Sequence, residues 1–251
     1  MAARTRKVIY LYGVSQSLPL SPIEQAGVAQ APIAALPCHP VVCWISQVSS
    51  AEFERDLAGN MENLEWLAPA SVSHQAAIAA IARQVDILPV RFGTVFRNQG
   101  SLRRHVLGRL RELKRDFKRL QGADEWGVKV FVAAPRAAPG PIASGKDYLM
   151  AKAALLPGRG MAVEGAGELS RFEQALGRVA LESAAPGAIS RGQPGLRFQT
   201  TILVKRRDRK KLESLLTRFS RRWAEQRKIE CTGPWPPYSF VSRSGESAGS
   251  K

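Results

Sequence analysis

Apolar and polar positions along the chain fall into two rhythms, and the change of rhythm predicts where strands give way to helices. Residues 8–14 (VIYLYGV) form an unbroken apolar run of β-branched and aromatic side chains around Gly13 and predict a first strand. Residues 15–40 hold five prolines and little periodicity, which predicts mostly loop. Residues 41–48 (VVCWISQV) predict a second strand. Ser50 ahead of Glu52 and Phe53 is placed as the N-cap of a helix over 50–66. A second helix over 70–84 carries Val72, Ile78 and Ile81 on one face, with Val85 just beyond. Pro69 between them predicts a break or a first-turn position. Residues 86–96 (DILPVRFGTVF) predict a strand interrupted at Pro89 and Gly93.

Residues 101–120 predict one long helix capped by Ser101. Leu102, Val106, Leu110, Leu113, Phe117 and Leu120 recur every three or four positions. Residues 126–133 (WGVKVFVA) predict a strand. Residues 134–143 (APRAAPGPIA) are the best linker candidate. Beyond it, 144–156 predicts a short helix and 157–167 (PGRGMAVEGAG) a glycine-rich loop. A helix over 168–183 presents Leu169, Phe172, Leu176, Val179 and Ala180 on one face. Residues 196–205 (LRFQTTILVK) predict a strand. Residues 208–226 predict a helix with Leu212, Leu215, Leu216, Phe219 and Trp223 on one side. Residues 227–241 predict one or two short strands around a proline turn. The resulting organisation is a first domain over 1–134, a linker over 135–143, a second domain over 144–241 and a disordered tail over 242–251. Strands and helices are mixed without regular βα units. A strand–helix–strand–helix–strand series before residue 134 fits a small α+β unit of the ferredoxin-like kind.

Charge changes the picture because of where it lies. The net charge is +16, from 37 Lys and Arg against 21 Asp and Glu. Residues 97–119 hold nine bases and two acids, and residues 205–228 eleven bases and three acids, so the remainder is nearly neutral. Such an excess suggests an anionic partner, whether nucleic acid, anionic lipid or an acidic protein surface, with solvated outer helix faces as the plain alternative. The nucleic-acid alternative would use the helices at 101–120 and 208–226. Nucleic-acid modules interleave aromatic or groove-reading residues with their charge. Here Phe117, Phe219 and Trp223 fall on the apolar stripes, so an acidic protein surface is favoured over nucleic acid. With 45% hydrophobic residues the chain can build a core, which excludes a disordered protein. No apolar run approaches the ~18–20 residues of a bilayer span. The amino terminus, MAARTRKVIYLYGV, lacks the apolar region and cleavage site of a signal peptide, which predicts a cytoplasmic protein.

Candidate chemistry is sparse. Cys38, His39 and Cys43 suggest a metal site, but no second ligand pair is near, and Cys231, His74 and His105 stand singly. No metal site is predicted. No GxSxG nucleophile signature or paired carboxylate arrangement is present, and Gly158, Gly160, Gly165 and Gly167 lack the Lys-Ser/Thr of a phosphate loop. No residue pattern demands a cofactor.

The least ordinary peptide is GPWPPYSFV at 233–241, where three prolines would hold Trp235 and Tyr238 as rigid aromatic plates. It resembles the closing motif of the gas vesicle protein family GvpL/GvpF. Tyr10-Leu11-Tyr12-Gly13 is similar to that family's opening strand. Glu62-Asn63-Leu64 and His74 are similar to its first helical region, and LPVRFGT at 88–94 to its LPVRFGT strand. Glu125 to Val130 resembles its E-x-G-V-K-V strand, and Tyr148-Leu149 with Lys152 its YLxxK helix. The resemblance implies a modified ferredoxin-like first domain followed by a smaller α/β domain. It also implies a non-enzymatic accessory or minor structural protein of gas vesicles. Such a protein binds the hydrophobic shell protein GvpA and assists its assembly or keeps it from aggregating. Other gas vesicle accessory proteins are further implied partners. Candidate partner-binding residues are Trp235, Tyr238, Arg103, Arg104, Arg111, Arg115, Arg221 and Arg222.

Overall fold

A computed structural model describes residues 6–132, 159–185, 193–223 and 226–242, with the backbone alone for 159–166. The chain divides into two compact units, Met1–Glu125 with Pro234–Lys251, and Trp126–Gly233. The last described residues thus belong to the same unit as the first. The linker, the helix over 144–156 and the YLxxK peptide lie outside the described residues, as does the tail beyond Ser242.

The first unit is built on a sheet of order β2-β3-β1-β4, with β5 also pairing β1. Strand β1 (Lys7–Ser15) is central, and all of its residues but the first are buried. Both of its faces are covered, so its sequence shows a continuous apolar run rather than alternation. It pairs antiparallel with β3 (Val41–Ser49), β4 (Ile87–Pro89) and β5 (Val95–Phe96). On one face Val8, Tyr10 and Tyr12 pack with Phe53, Ala77, Ile78 and Ile81. These come from the turn Ala51–Arg55 and from α2 (Leu64–Ala82), which follows α1 (Leu57–Glu62). On the other face Leu11, Val14 and Leu88 meet Val106 and Leu113 around a void of about 30 Å³. Those two residues belong to α3 (Gln99–Gly108) and α4 (Leu110–Leu120).

Several local expectations change. The predicted loop 15–40 contains β2 (Ala34–Cys38), antiparallel to β3. Its AALPC sequence has weak strand propensity, and Pro37 is tolerated because β2 lies at the sheet edge. Ser50 is not a cap; its hydroxyl donates to Glu54 Oε2 at 2.7 Å. Helix α2 runs through Pro69 rather than stopping there, because its buried face holds it against the sheet. The long helix breaks into α3 and α4 at Arg109, just past Gly108, a weak helix former. Asn98, not Ser101, caps α3: Ser101 N–H donates to Asn98 Oδ1 at 2.9 Å and Ser101 Oγ faces back to the Asn98 N–H.

The peptide LPVRFGT carries the end of β4 and the turn that leads into β5. Gly93, at φ +80°, occupies left-handed backbone that a side chain would strain. The turn is tied to β1: Val90 N–H donates to the Tyr12 carbonyl, Leu11 N–H to the Thr94 carbonyl, and Gly93 N–H to the Tyr10 hydroxyl.

The second unit holds a sheet of order β7-β8-β6-β9. Its strands are β6 (Ala123–Val132), β7 (Glu182–Ala184), β8 (Leu196–Lys205) and β9 (Arg227–Trp235). Both sheets are antiparallel. Trp126, Val128 and Val130 alternate inward from β6 against α5 (Arg159–Gly177) and α6 (Arg209–Trp223). Phe172 is the hub, edge-on to Phe198, Phe219 and Trp223 at 4.9–5.7 Å. The glycine-rich stretch expected as loop is mostly the first half of α5. Met161, Ala162 and Glu164 favour helix between the glycines, and the buried residues Phe172 and Leu176 anchor the half that follows.

Gly13 lies beside a register shift between Leu11 and Gly13, where β1 carries one extra residue. A Cβ there would stand 2.5 Å from the Leu88 carbonyl oxygen. Gly13→Ala is therefore expected to destabilise the first unit by about 2 kcal/mol or more, read as a lowered denaturation midpoint. An unchanged midpoint would show that β4 can yield.

Candidate functional site

Sequence GPWPPYSFV leaves β9 at Trp235 and becomes a strap held inside the first unit. Glu125, near the start of β6, accepts hydrogen bonds from Ser239 N–H at 2.7 Å and Ser239 Oγ at 2.8 Å. Asp116 of α4, fully buried, accepts from Ser242 N–H at 2.8 Å and Ser242 Oγ at 2.9 Å. Arg119 bonds Asp116 at 2.9 Å and donates to the Phe240 carbonyl. Arg109 pairs with Glu112 at 3.0 Å and donates to the Ser242 carbonyl at 2.7 Å. Phe240 is buried among these anchors. Two tight turns set the strap's path, with Tyr238 N–H donating to the Pro236 carbonyl and Phe240 N–H to that of Pro237.

Strap docking sorts the two aromatics of the motif. Tyr238 packs on the core, its ring 6.5 Å from His74. Trp235 remains 43% exposed. Together with Pro236, Gln75, Ala79 and Glu125 they line a hollow of about 220 Å³. Burial pushes the Glu125 carboxyl above its ordinary value, and the two bonds from Ser239 pull it back. Burial and the neighbouring Glu125 raise the Tyr238 hydroxyl.

His74 lies behind this hollow, 3% exposed and ringed by Tyr10, Tyr12, Phe92 and Tyr238. Its Nδ1 is 2.9 Å from the Tyr10 hydroxyl. The same hydroxyl also accepts from Gly93 N–H. Burial pulls the imidazole down to about 4, with the Val90 backbone pulling weakly the other way.

The predicted cations divide differently. Arg103, Arg104, Arg111 and Arg115 are exposed on α3 and α4. Arg221 and Arg222 are exposed on α6 of the second unit, where Arg222 bonds Glu168 at 2.9 Å. The residues that sequence reasoning missed are Asp116, Glu125, Arg109 and Arg119. Asp116 did carry a signal: it falls on the apolar stripe beside Phe117, three and four residues from Leu113 and Leu120. An acid in that position needs partners, and they come from the far end of the chain. Cys38 and Cys43 are buried free thiols, and no group of three or more metal-ligating side chains occurs among the described residues. No helix among the described residues is long and apolar enough to cross a membrane.

Comparison with known proteins matches residues 8–242 to the family described as "Gas vesicle synthesis protein GvpL/GvpF". The chain belongs to the GvpL/GvpF family. It is 29% identical over 258 aligned positions to "Gas vesicle protein L" of Streptomyces sp. (strain CB03234), covering 94% of each chain. Its fold is similar to the crystal structure of GvpF from Anabaena sp. PCC7120, with a TM-score of 0.67 and 15% identity over 97% of this chain and all of that one. GvpF from Microcystis aeruginosa gives 0.66 and 14% over 94% of this chain and 99% of that one. The strap and the LPVRFGT turn thus lie within the stretch that carries the family match.

Asp116→Asn removes the charge that holds Ser242 and Arg119. It is expected to lower unfolding free energy by about 2 kcal/mol and to speed proteolysis within 234–242. Wild-type stability and protection together would exclude this role. His74 gives a pH prediction. Its folded value lies below the unfolded 6.5, so its contribution is full above that pH and is lost as pH falls toward about 4. The loss is on the order of 3 kcal/mol. His74→Gln should flatten stability between those limits in pH-dependent denaturation; an unchanged slope would assign it to other groups.

Proposed function

We propose that this chain acts at the gas vesicle, in the cytoplasm, as a non-enzymatic accessory or minor structural protein. It binds the shell protein GvpA and assists its assembly. The single observation carrying the reading is the family match across residues 8–242. The first unit is read as a modified ferredoxin-like domain. Its antiparallel order β2-β3-β1-β4 supports this, with a 3-10 turn at Val28–Gln30 in place of a first crossover helix.

A small hydrophobic shell protein exposes apolar surface before it polymerises, and such surface aggregates unless covered. A partner that covers it needs apolar contacts inside a polar rim. The hollow by the strap supplies Trp235, Pro236 and Tyr238 beside Gln75 and Glu125. Trp235 is the contact residue; Tyr238 shapes the floor from its place on the core.

Tagged GvpA should capture the wild-type protein on co-purification, and Trp235→Ala should cut that capture about tenfold with the melting profile preserved. Full capture by the variant would remove the hollow from the interface. Absence of capture of the wild-type protein, with normal vesicles in a deletion strain, would overturn the function.

A further inference from the structure

The arginines of α3 and α4 fall into two sets with different work. Arg109 and Arg119 turn inward and consume the two acids of these helices, Glu112 and Asp116, while holding the strap. Arg103, Arg104, Arg111, Lys114, Arg115 and Lys118 are exposed and make no hydrogen bond or ion pair among the described residues. All six are exposed, and the acids of the two helices are already paired. On α4, Arg111, Lys114, Arg115 and Lys118 lie opposite the buried Leu113, Phe117 and Leu120; on α3, Arg104 lies opposite the buried Leu102 and Val106. Leu107, on the same side of α3 as Arg104, is 48% exposed.

We propose that this face of α3 and α4 docks an acidic amphipathic helix of a partner protein. Its carboxylates would pair with the outward arginines and one apolar side chain would cover Leu107. The proposal is independent of GvpA binding at the strap hollow. Charge complementarity carries it: Arg, which supplies four of the six cations, pairs bidentately with carboxylates. Helix α4 alone spans about 16 Å of helix axis, about three turns of a facing helix. Nucleic acid is the weaker occupant. The segment has no Asn, Gln, Ser or Thr to add to what its arginines could make with bases and phosphates. Its one phenylalanine is buried, and the His105 ring lies against Phe96 rather than forming a platform for bases. An exposed leucine amid the cations also has no use against a phosphate backbone.

The test is fluorescence-anisotropy titration of the full chain with a synthetic amphipathic helix carrying Glu at i, i+4, i+7 and i+11 and leucines on the adjoining face. Its Glu→Gln counterpart and a DNA duplex serve as comparison probes, all at physiological ionic strength. The Glu peptide should bind more tightly than both. Its affinity should fall about tenfold or more in the combined Arg103→Glu, Arg104→Glu, Arg111→Glu, Arg115→Glu variant, because four rim pairs of modest strength are reversed together. If that variant fails to melt cooperatively, the Arg→Gln series at the same positions is read instead. Leu107→Ser should weaken the peptide and leave DNA unchanged. Equal binding of the Gln peptide, undiminished binding by the charge variants, or tighter binding of DNA than of the Glu peptide would each overturn the proposal.

Discussion

Asp116 and Glu125 are carboxylates withdrawn from water, and each is satisfied by a serine of the same nine-residue stretch at the far end of the described chain. An ionised carboxylate buried without partners costs several kcal/mol, and the strap supplies two hydrogen bonds to each acid, beside the Arg119 ion pair to Asp116. Ser239 and Ser242 each offer a backbone N–H and a hydroxyl, which is why two short residues suffice for two acids. Much follows from this. Phe240 is buried, Tyr238 reaches the ring cluster around His74, and Trp235 is left at the rim. The chain's final described segment is thereby part of the unit that its first strand begins.

The aromatic cluster beneath the strap depends on the same logic of matched donors and acceptors. Tyr12 donates to Ser46 and accepts from Val28 N–H, while Tyr10 accepts from Gly93 N–H and meets His74. The Tyr12 hydroxyl joins β1 to the 3-10 turn at Val28, and the Tyr10 hydroxyl joins it to the turn at Gly93. Side chains of YLYG thus help to position the loop before β2 and the turn of LPVRFGT, which backbone bonds to β1 also hold. A buried polar network of this kind specifies one arrangement, because any other leaves a donor or acceptor unpaired.

The charge excess has two meanings within one helix pair. The inward arginines are structural, spent on Glu112, Asp116 and strap carbonyls. The outward ones have no such employment among the described residues and give the outer face its field. In the second unit the cations are more often locally paired: Arg209 with Glu213, Lys211 with Asp208, Arg222 with Glu168. The sum over composition conceals this difference entirely.

The apolar periodicities of β1, β3, β8 and α6 were legible because each element buries one or both faces, and burial leaves a pattern in a single segment. Likewise the stripe of α3 and α4 was legible, although not its break at Arg109. What could not be read was anything decided by a partner remote in sequence. β2 exists because β3 offers it a ladder, α2 passes Pro69 because the sheet holds it, and the glycine-rich start of α5 continues a helix whose anchor is Phe172. The gas vesicle family was written in two peptides, LPVRFGT and GPWPPYSF, and the sequence alone determined membership. Only the tertiary structure decided that Trp235 faces out while Tyr238 packs in, and which arginines are spent and which exposed. Those outcomes depend on acids more than a hundred residues away from their serines, and no local pattern records such a pairing.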